Sequence, residues 1–268
     1  MGNKLADAKC FLFDMDGTVY LGDHLLPGAR ELTAYLEKLH IPYYFLTNNS
    51  SRSREDYVKK LAGFDLPVTL EKIFSSGQAT AAYLQKRHPG ASLYLVGTPS
   101  LKEEFSHFGF DLVETDPEMV VLGFDTTLTY EKIWRLCDFV RQGLPYIATH
   151  PDINCPTADG VMPDIGAIIA LVSASTGREP DVIVGKPYPP MVEAILDRAG
   201  FSPGEIVMVG DRLYTDIALG QSGLTTVLVL SGETNLEDVD GGLYRPDFIV
   251  PDLAGLFSKV LQLRSKGG

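Results

Sequence analysis

The chain has 268 residues, 45% of them hydrophobic and 22% charged. That is enough apolar content for one large α/β domain or two smaller ones, and too ordinary a charge content for bulk disorder. The formal net charge of −12 argues against general binding to nucleic acid or an anionic membrane surface. It leaves a small anionic substrate open, because screening at physiological salt acts over about 8 Å and the local site outweighs the total. No segment reaches the roughly 18 apolar residues of a membrane-spanning helix, so the expectation is a soluble, cytoplasmic protein. Cys10, Cys137 and Cys155 form no Cys-x-x-Cys pair and lack zinc-site spacing; they read as reduced thiols.

In chain order, residues 10–13 read as a buried strand. Residues 27–39 place Leu32, Tyr35, Leu36 and Leu39 at helical spacing, and 43–46 form the next apolar run. Helices are expected over 54–62 and 79–87, a strand over 92–96 and a helix near 100–108. The alternation continues through 119–122, 130–141, 146–148 and 166–175, then 182–184, 190–199, 206–209, 215–221 and 226–230. Trp134, beside Ile133 and Leu136, is expected in the core. Near-continuous apolar runs between amphipathic stretches indicate parallel strands covered on both faces, so the class is α/β with a Rossmann-like parallel-sheet core. The residues that carry chemistry fall near the two ends of the chain. The middle, 78–181, reads as an inserted α/β domain, leaving 1–77 and 182–268 as the core domain.

Four strand ends carry the chemistry. Residues 11–13 lead into Asp14-Met15-Asp16-Gly17-Thr18. Ligands of an open parallel sheet sit beyond the carboxyl ends of its strands, which puts Asp14 at that edge. Gly17 lets the chain turn so that Asp16 can face the same place. One carboxylate can attack phosphorus and a second can serve as acid and base. A calcium loop also begins Asp-x-Asp but needs glycine at its sixth position rather than its fourth. Thr47-Asn48-Asn49-Ser50 follows the next apolar run, with hydroxyls, amides and backbone N–H groups suited to a phosphoryl group or to an ordinary helix cap. Val184-Gly185-Lys186-Pro187 offers a cation but no P-loop, since residue 180 is proline and Lys186 precedes proline. Gly210-Asp211, with Asp216 five residues on, supplies oxygen donors of the kind that suit Mg²⁺.

Taken in order, these loops resemble the four motifs of the haloacid dehalogenase superfamily. Asp14 to Thr18 fit the first without departure; Thr47, Lys186, and Gly210-Asp211 with Asp216 fit the others. Only 29 residues separate Thr18 from Thr47, whereas 137 separate Asn49 from Lys186. An insertion between the second and third motifs is the C2 cap arrangement. Residues 46–50, 148–152 and 210–216 resemble the NagD-like / 4-nitrophenyl phosphatase branch, apart from His150, which stands where that branch often has asparagine.

The resemblance implies a hydrolase that cleaves small phosphate monoesters through an aspartyl-phosphate. Asp14 would be the nucleophile and Asp16 the general acid and base. Thr47 and the backbone around Asn48 and Asn49 would hold the phosphoryl oxygens, and Lys186 would orient and neutralise them. Mg²⁺ would be bound by the Asp14 side chain, the Asp16 carbonyl and Asp211, with Asp216 supporting a metal-bound water. Charge supports the metal: two like charges 4 Å apart repel by about 4 kcal/mol at an effective dielectric near 20, and one lysine cannot offset a phosphate dianion among carboxylates. In the insertion, His150 to Asn154, continuing to Asp159-Gly160, is the loop expected to touch substrate, with Asp125 a weaker candidate. A phospho-acceptor signalling module is an alternative, although such modules are shorter and lack the insertion. A phosphomutase of the same superfamily is another, although its cap usually lies between the first and second motifs. Nothing in the pattern fixes the natural substrate or the oligomeric state.

Overall fold

A computed structural model of the chain describes residues 4–157 and 160–265. The chain forms two compact units. The first takes in the residues up to Thr47, Val58–Phe74, and those from Ile195 onward; the second takes in Asn48–Tyr57 and Ser75–Ala194.

The first unit is built on a six-stranded sheet in the order Phe248–Val250, Thr225–Val229, Ile206–Gly210, Cys10–Phe13, Tyr43–Thr47, Ile73–Ser75. Pairing is parallel from Phe248–Val250 through Tyr43–Thr47. Cys10–Phe13, Ile206–Gly210 and Thr225–Val229 are buried along their whole length, as their unbroken apolar runs require. Phe13 meets Tyr43 edge-on at 6.2 Å between ring centroids, and Tyr43 meets Phe45 at 5.7 Å, so aromatic packing ties two neighbouring strands together. Numbered along the chain, these strands lie in the order 6-5-4-1-2-3. The winding therefore reverses between Cys10–Phe13 and Ile206–Gly210. At such a reversal the flanking connections leave to opposite faces and open a crevice beyond the strand ends. Asp14 and Asp211 are the residues that leave those two strands.

The second unit holds a five-stranded parallel sheet, Val182–Ile183, Tyr146–Ala148, Met119–Leu122, Ser92–Val96, Asp111–Leu112, and an antiparallel hairpin, Asn154–Thr157 with Gly160–Pro163. Its core joins Val96, Val120, Leu122, Leu136, Val140 and Tyr146 to Ile165 and Val172 of the helix Ile165–Thr176. This unit contains more chain than the expected 78–181. Val182–Ile183 pairs with Tyr146–Ala148.

Trp134 is not a core residue: 61% of its surface is exposed. On the helix Tyr130–Arg141 the buried positions are Leu136, Cys137 and Val140. Trp134 lies two residues from Leu136, about 200° around the axis at 3.6 residues per turn. Asp159, expected in the substrate loop, lies outside the described residues. Among the described residues no helix is long and apolar enough to cross a membrane.

Candidate active site

The register of the central strands sets the geometry. Phe13 pairs with Val209, the Asp14 N–H donates to the Val209 carbonyl at 2.8 Å, and Asp211 follows one residue beyond Gly210. On the other side Phe13 pairs with Phe45, so Thr47, buried at the end of its strand, stands at the same edge of the sheet. Asp14, Asp211 and Asp216 each offer a carboxylate oxygen, and these oxygens lie within 4.8 Å of one another. All three side chains are buried.

Three carboxylates so placed repel by about 3 kcal/mol per pair at an effective dielectric near 20. Burial first, and then the charge of Asp216, push the Asp211 carboxyl well above the usual carboxylate range. Asp211 Oδ2 accepts the Glu233 N–H at 2.7 Å, while its Oδ1 is buried and finds no hydrogen-bond partner among the described residues. An unsatisfied buried oxygen within a cluster of hard donors fits a divalent cation. Asp14, Asp211 and Asp216 therefore form a group that could hold a metal ion. Asp216 Oδ2 also accepts the Arg212 N–H at 3.1 Å.

Two glycines let the chain come this close. Gly17 has φ +88°, and any β-carbon there would collide with the Asp211 carboxylate; the same holds at Gly232. Gly232 and Glu233 were not recognised from sequence, although a Ser-Gly pair after the apolar strand Thr225–Val229 is a signal of the same kind as Gly210-Asp211. Ser231 Oγ donates to the Gly17 carbonyl at 2.8 Å, and Arg212 Nε pairs with Glu233 Oε2 at 2.9 Å. Asp16 sits in the turn after Asp14, half-buried, and its Oδ2 accepts the Tyr20 hydroxyl at 3.1 Å.

In the second unit, Asn48 and Lys186 meet across 138 residues of sequence. Asn48 Oδ1 accepts the Lys186 N–H at 2.8 Å, and its Nδ2 donates to the Lys186 carbonyl at 3.1 Å and to Asp152 Oδ1 at 3.0 Å. The Asn48 amide is thus spent on fixing the Lys186 backbone rather than offered to a ligand. Asn49 Oδ1 accepts the N–H and hydroxyl of Ser51 at 2.9 and 2.7 Å, a local turn. Asp125 accepts Lys132 Nζ at 2.6 Å and the Thr127 N–H at 2.8 Å, which accounts for that carboxylate structurally. His150 does not fit the substrate-facing role expected of it. It is fully buried, with Nε2 3.0 Å from Asp164 Oδ1 and Nδ1 3.0 Å from Thr149 Oγ1. Asp164 also caps the helix Ile165–Thr176, so the histidine braces a helix start.

Residues 11–111 match the family described as haloacid dehalogenase-like hydrolase, and residues 183–256 match the HAD-hydrolase-like family. The acid sugar phosphatase of Staphylococcus aureus (strain USA300) is 36% identical over 248 residues, covering 91% of this chain and 95% of that protein. The chain belongs to the haloacid dehalogenase-like hydrolases. Among solved structures, 4-nitrophenylphosphatase from Thermotoga maritima superposes with a TM-score of 0.94 at 45% identity, covering 97% of this chain and 100% of that one. NagD from E. coli K-12 gives a TM-score of 0.86 at 33% identity, covering 92% and 97%. Within these hydrolases the chain falls in the NagD-like and 4-nitrophenyl phosphatase branch.

Proposed function

We propose that this hydrolase is a Mg²⁺-dependent phosphatase of small, cytoplasmic phosphate monoesters, sugar phosphates foremost, acting through an aspartyl-phosphate on Asp14. The observation that carries the reading is the buried group of Asp14, Asp211 and Asp216 at the winding reversal, with one Asp211 oxygen that has no hydrogen-bond partner among the described residues. The names of the relatives, an acid sugar phosphatase and a 4-nitrophenylphosphatase, supply the substrate class.

An Asp14 oxygen forms a bond to phosphorus as the ester P–O bond breaks, and Asp16 passes its proton to the departing oxygen. Asp16, now ionised, takes a proton from water; the water oxygen bonds to phosphorus, and phosphate leaves with Asp14 restored. The Thr47 hydroxyl binds the phosphoryl group, and Lys186 supplies it with positive charge. The backbone around Asn48 and Asn49 binds the phosphoryl oxygens, while the Asn48 side chain fixes Lys186. A divalent ion held by Asp14, Asp211 and the Asp16 carbonyl would offset the charge of phosphate among carboxylates. Residues 78–181 serve as the cap that selects the substrate.

The test is phosphate release from a panel of sugar phosphates, nucleotides, phosphoglycolate and 4-nitrophenyl phosphate, with Mg²⁺ or with a chelator. Asp14→Asn is expected to abolish release, and the chelator to suppress it. Turnover by Asp14→Asn near the wild-type rate would exclude the covalent route, and release insensitive to chelation would exclude the metal.

A further inference from the structure

We propose that Tyr20 is a positioning residue for Asp16: its hydroxyl holds Asp16 Oδ2 and reserves Oδ1 as the oxygen that exchanges the proton. The proposal rests on the reading of Asp16 as general acid and base.

The phenol has little freedom. Tyr20 is completely buried. Its ring packs on Phe64 at 5.6 Å between centroids, and Lys60 Nζ lies 3.8 Å over its face. The backbone is fixed as well: the Tyr20 N–H donates to the Met15 carbonyl at 3.1 Å, and the Tyr20 carbonyl accepts the Gly17 N–H at 2.8 Å. Tyr20 also pairs with Leu25 in a short antiparallel ribbon. From this anchored ring the hydroxyl reaches Asp16 Oδ2 at 3.1 Å.

A half-buried carboxyl without such a contact turns freely about its last torsion and presents either oxygen. The carbonyl oxygen of a protonated carboxyl is a better acceptor than its hydroxyl oxygen, so a donor held at Oδ2 favours the proton on Oδ1. The same contact suits the ionised form, because a phenol O–H donates equally well to a carboxylate. Tyr20 therefore keeps one geometry through both halves of the cycle, first when Oδ1 gives its proton to the leaving oxygen and then when Oδ1 takes one from water. Holding a reacting group in a single orientation lowers the entropic part of the barrier.

Tyr20→Phe removes one oxygen and keeps the ring with its Phe64 and Lys60 contacts; a thermal melt matching wild type verifies the fold. The readout is kcat/KM for an alkyl phosphate such as glycerol phosphate, whose leaving oxygen needs the proton, against 4-nitrophenyl phosphate, whose leaving oxygen needs it little. The expected result is a loss of about tenfold with the alkyl ester and about twofold or less with the aryl ester, the size of a general-acid contribution only partly withdrawn. In an Asp16→Asn background the same substitution is expected to add nothing. Equal losses on both esters, no loss on either, or full additivity with Asp16→Asn would overturn the proposal while leaving the phosphatase reading intact. Absence of phosphate release from the wild-type protein would overturn both.

Discussion

Asn48 gives the most direct test of how the second unit places Lys186. Asn48→Ala removes three hydrogen bonds at once: from the Lys186 N–H at 2.8 Å, to the Lys186 carbonyl at 3.1 Å and to Asp152 at 3.0 Å. Both Asn48 and Lys186 are buried, so water cannot replace the lost partners without rearrangement. At about 1 kcal/mol net for each bond, the variant should lose about 3 kcal/mol. At about 2–4 °C per kcal/mol for a chain of this size, the melting midpoint should fall by about 6–12 °C. Asn48→Asp is the sharper variant. It keeps an acceptor for the Lys186 N–H but turns the amide donor into a second oxygen facing the Lys186 carbonyl and the Asp152 carboxylate. Burial and like charge would raise the introduced carboxyl's pKa in the folded protein. Its penalty is therefore full above that raised value and fades as pH falls towards the ordinary carboxylate range, where the protonated group can donate again. The assay is thermal denaturation of the two variants from about pH 8 to pH 5. A drop of under about 2 °C for Asn48→Ala, or an Asn48→Asp penalty that grows as pH falls, would show that the amide does not hold the lysine in this way.

Three further outcomes are expected. Asp211→Asn takes one charge from a crowded group, so in chelator it should melt above wild type, whereas Mg²⁺ should raise only the wild-type midpoint. Because the Asp211 carboxyl is pushed upward by burial and by Asp216, wild type loses stability as pH rises through that value, so the gap in chelator should widen with pH; a gap that narrows would refute the repulsion. His150→Leu should cost about 2–4 kcal/mol through the partners it leaves behind, Asp164 and Thr149, with KM for phosphate esters unchanged; a selective change in substrate profile would return His150 to the binding site. With iodoacetamide near pH 8, Cys155, which is half-buried, should be labelled first. Cys10 should be protected by burial, which pushes its thiol up to about 12 against a partial lowering by Lys72. Equal labelling of Cys10 in the native protein, read by peptide mass spectrometry, would contradict its packing.

What the sequence disclosed follows from the range of the forces involved. Strands such as Cys10–Phe13 and Ile206–Gly210 are visible because burial on both faces demands an unbroken apolar run. The acids beside them are visible because a strand end is where that demand stops. Helix phase was legible in Ala29–Lys38, where Leu32 and Leu36 are buried as their spacing requires. Proximity in sequence to Leu136 does not place Trp134 in the core, because the buried positions Leu136, Cys137 and Val140 define a face that the Trp134 side chain does not share.

The roles that stayed hidden belong to polar groups whose partners are distant in the chain. A Thr-Asn-Asn-Ser segment reads as phosphate-binding or capping from its own atoms alone. That the Asn48 side chain grips residues 104 and 138 positions away is a product of the closed fold, with no local periodicity to announce it. His150 is the same case at shorter range, since Asp164 lies 14 residues on and only the turn between them brings the two together. Buried polar groups must find partners, so a conspicuous polar residue beside a strand end has two competing fates, ligand or brace. The sequence assigns the chemistry of such a residue but not its accessibility. That distinction separates Asp211, whose Oδ1 has no hydrogen-bond partner among the described residues, from His150, whose two ring nitrogens are already engaged.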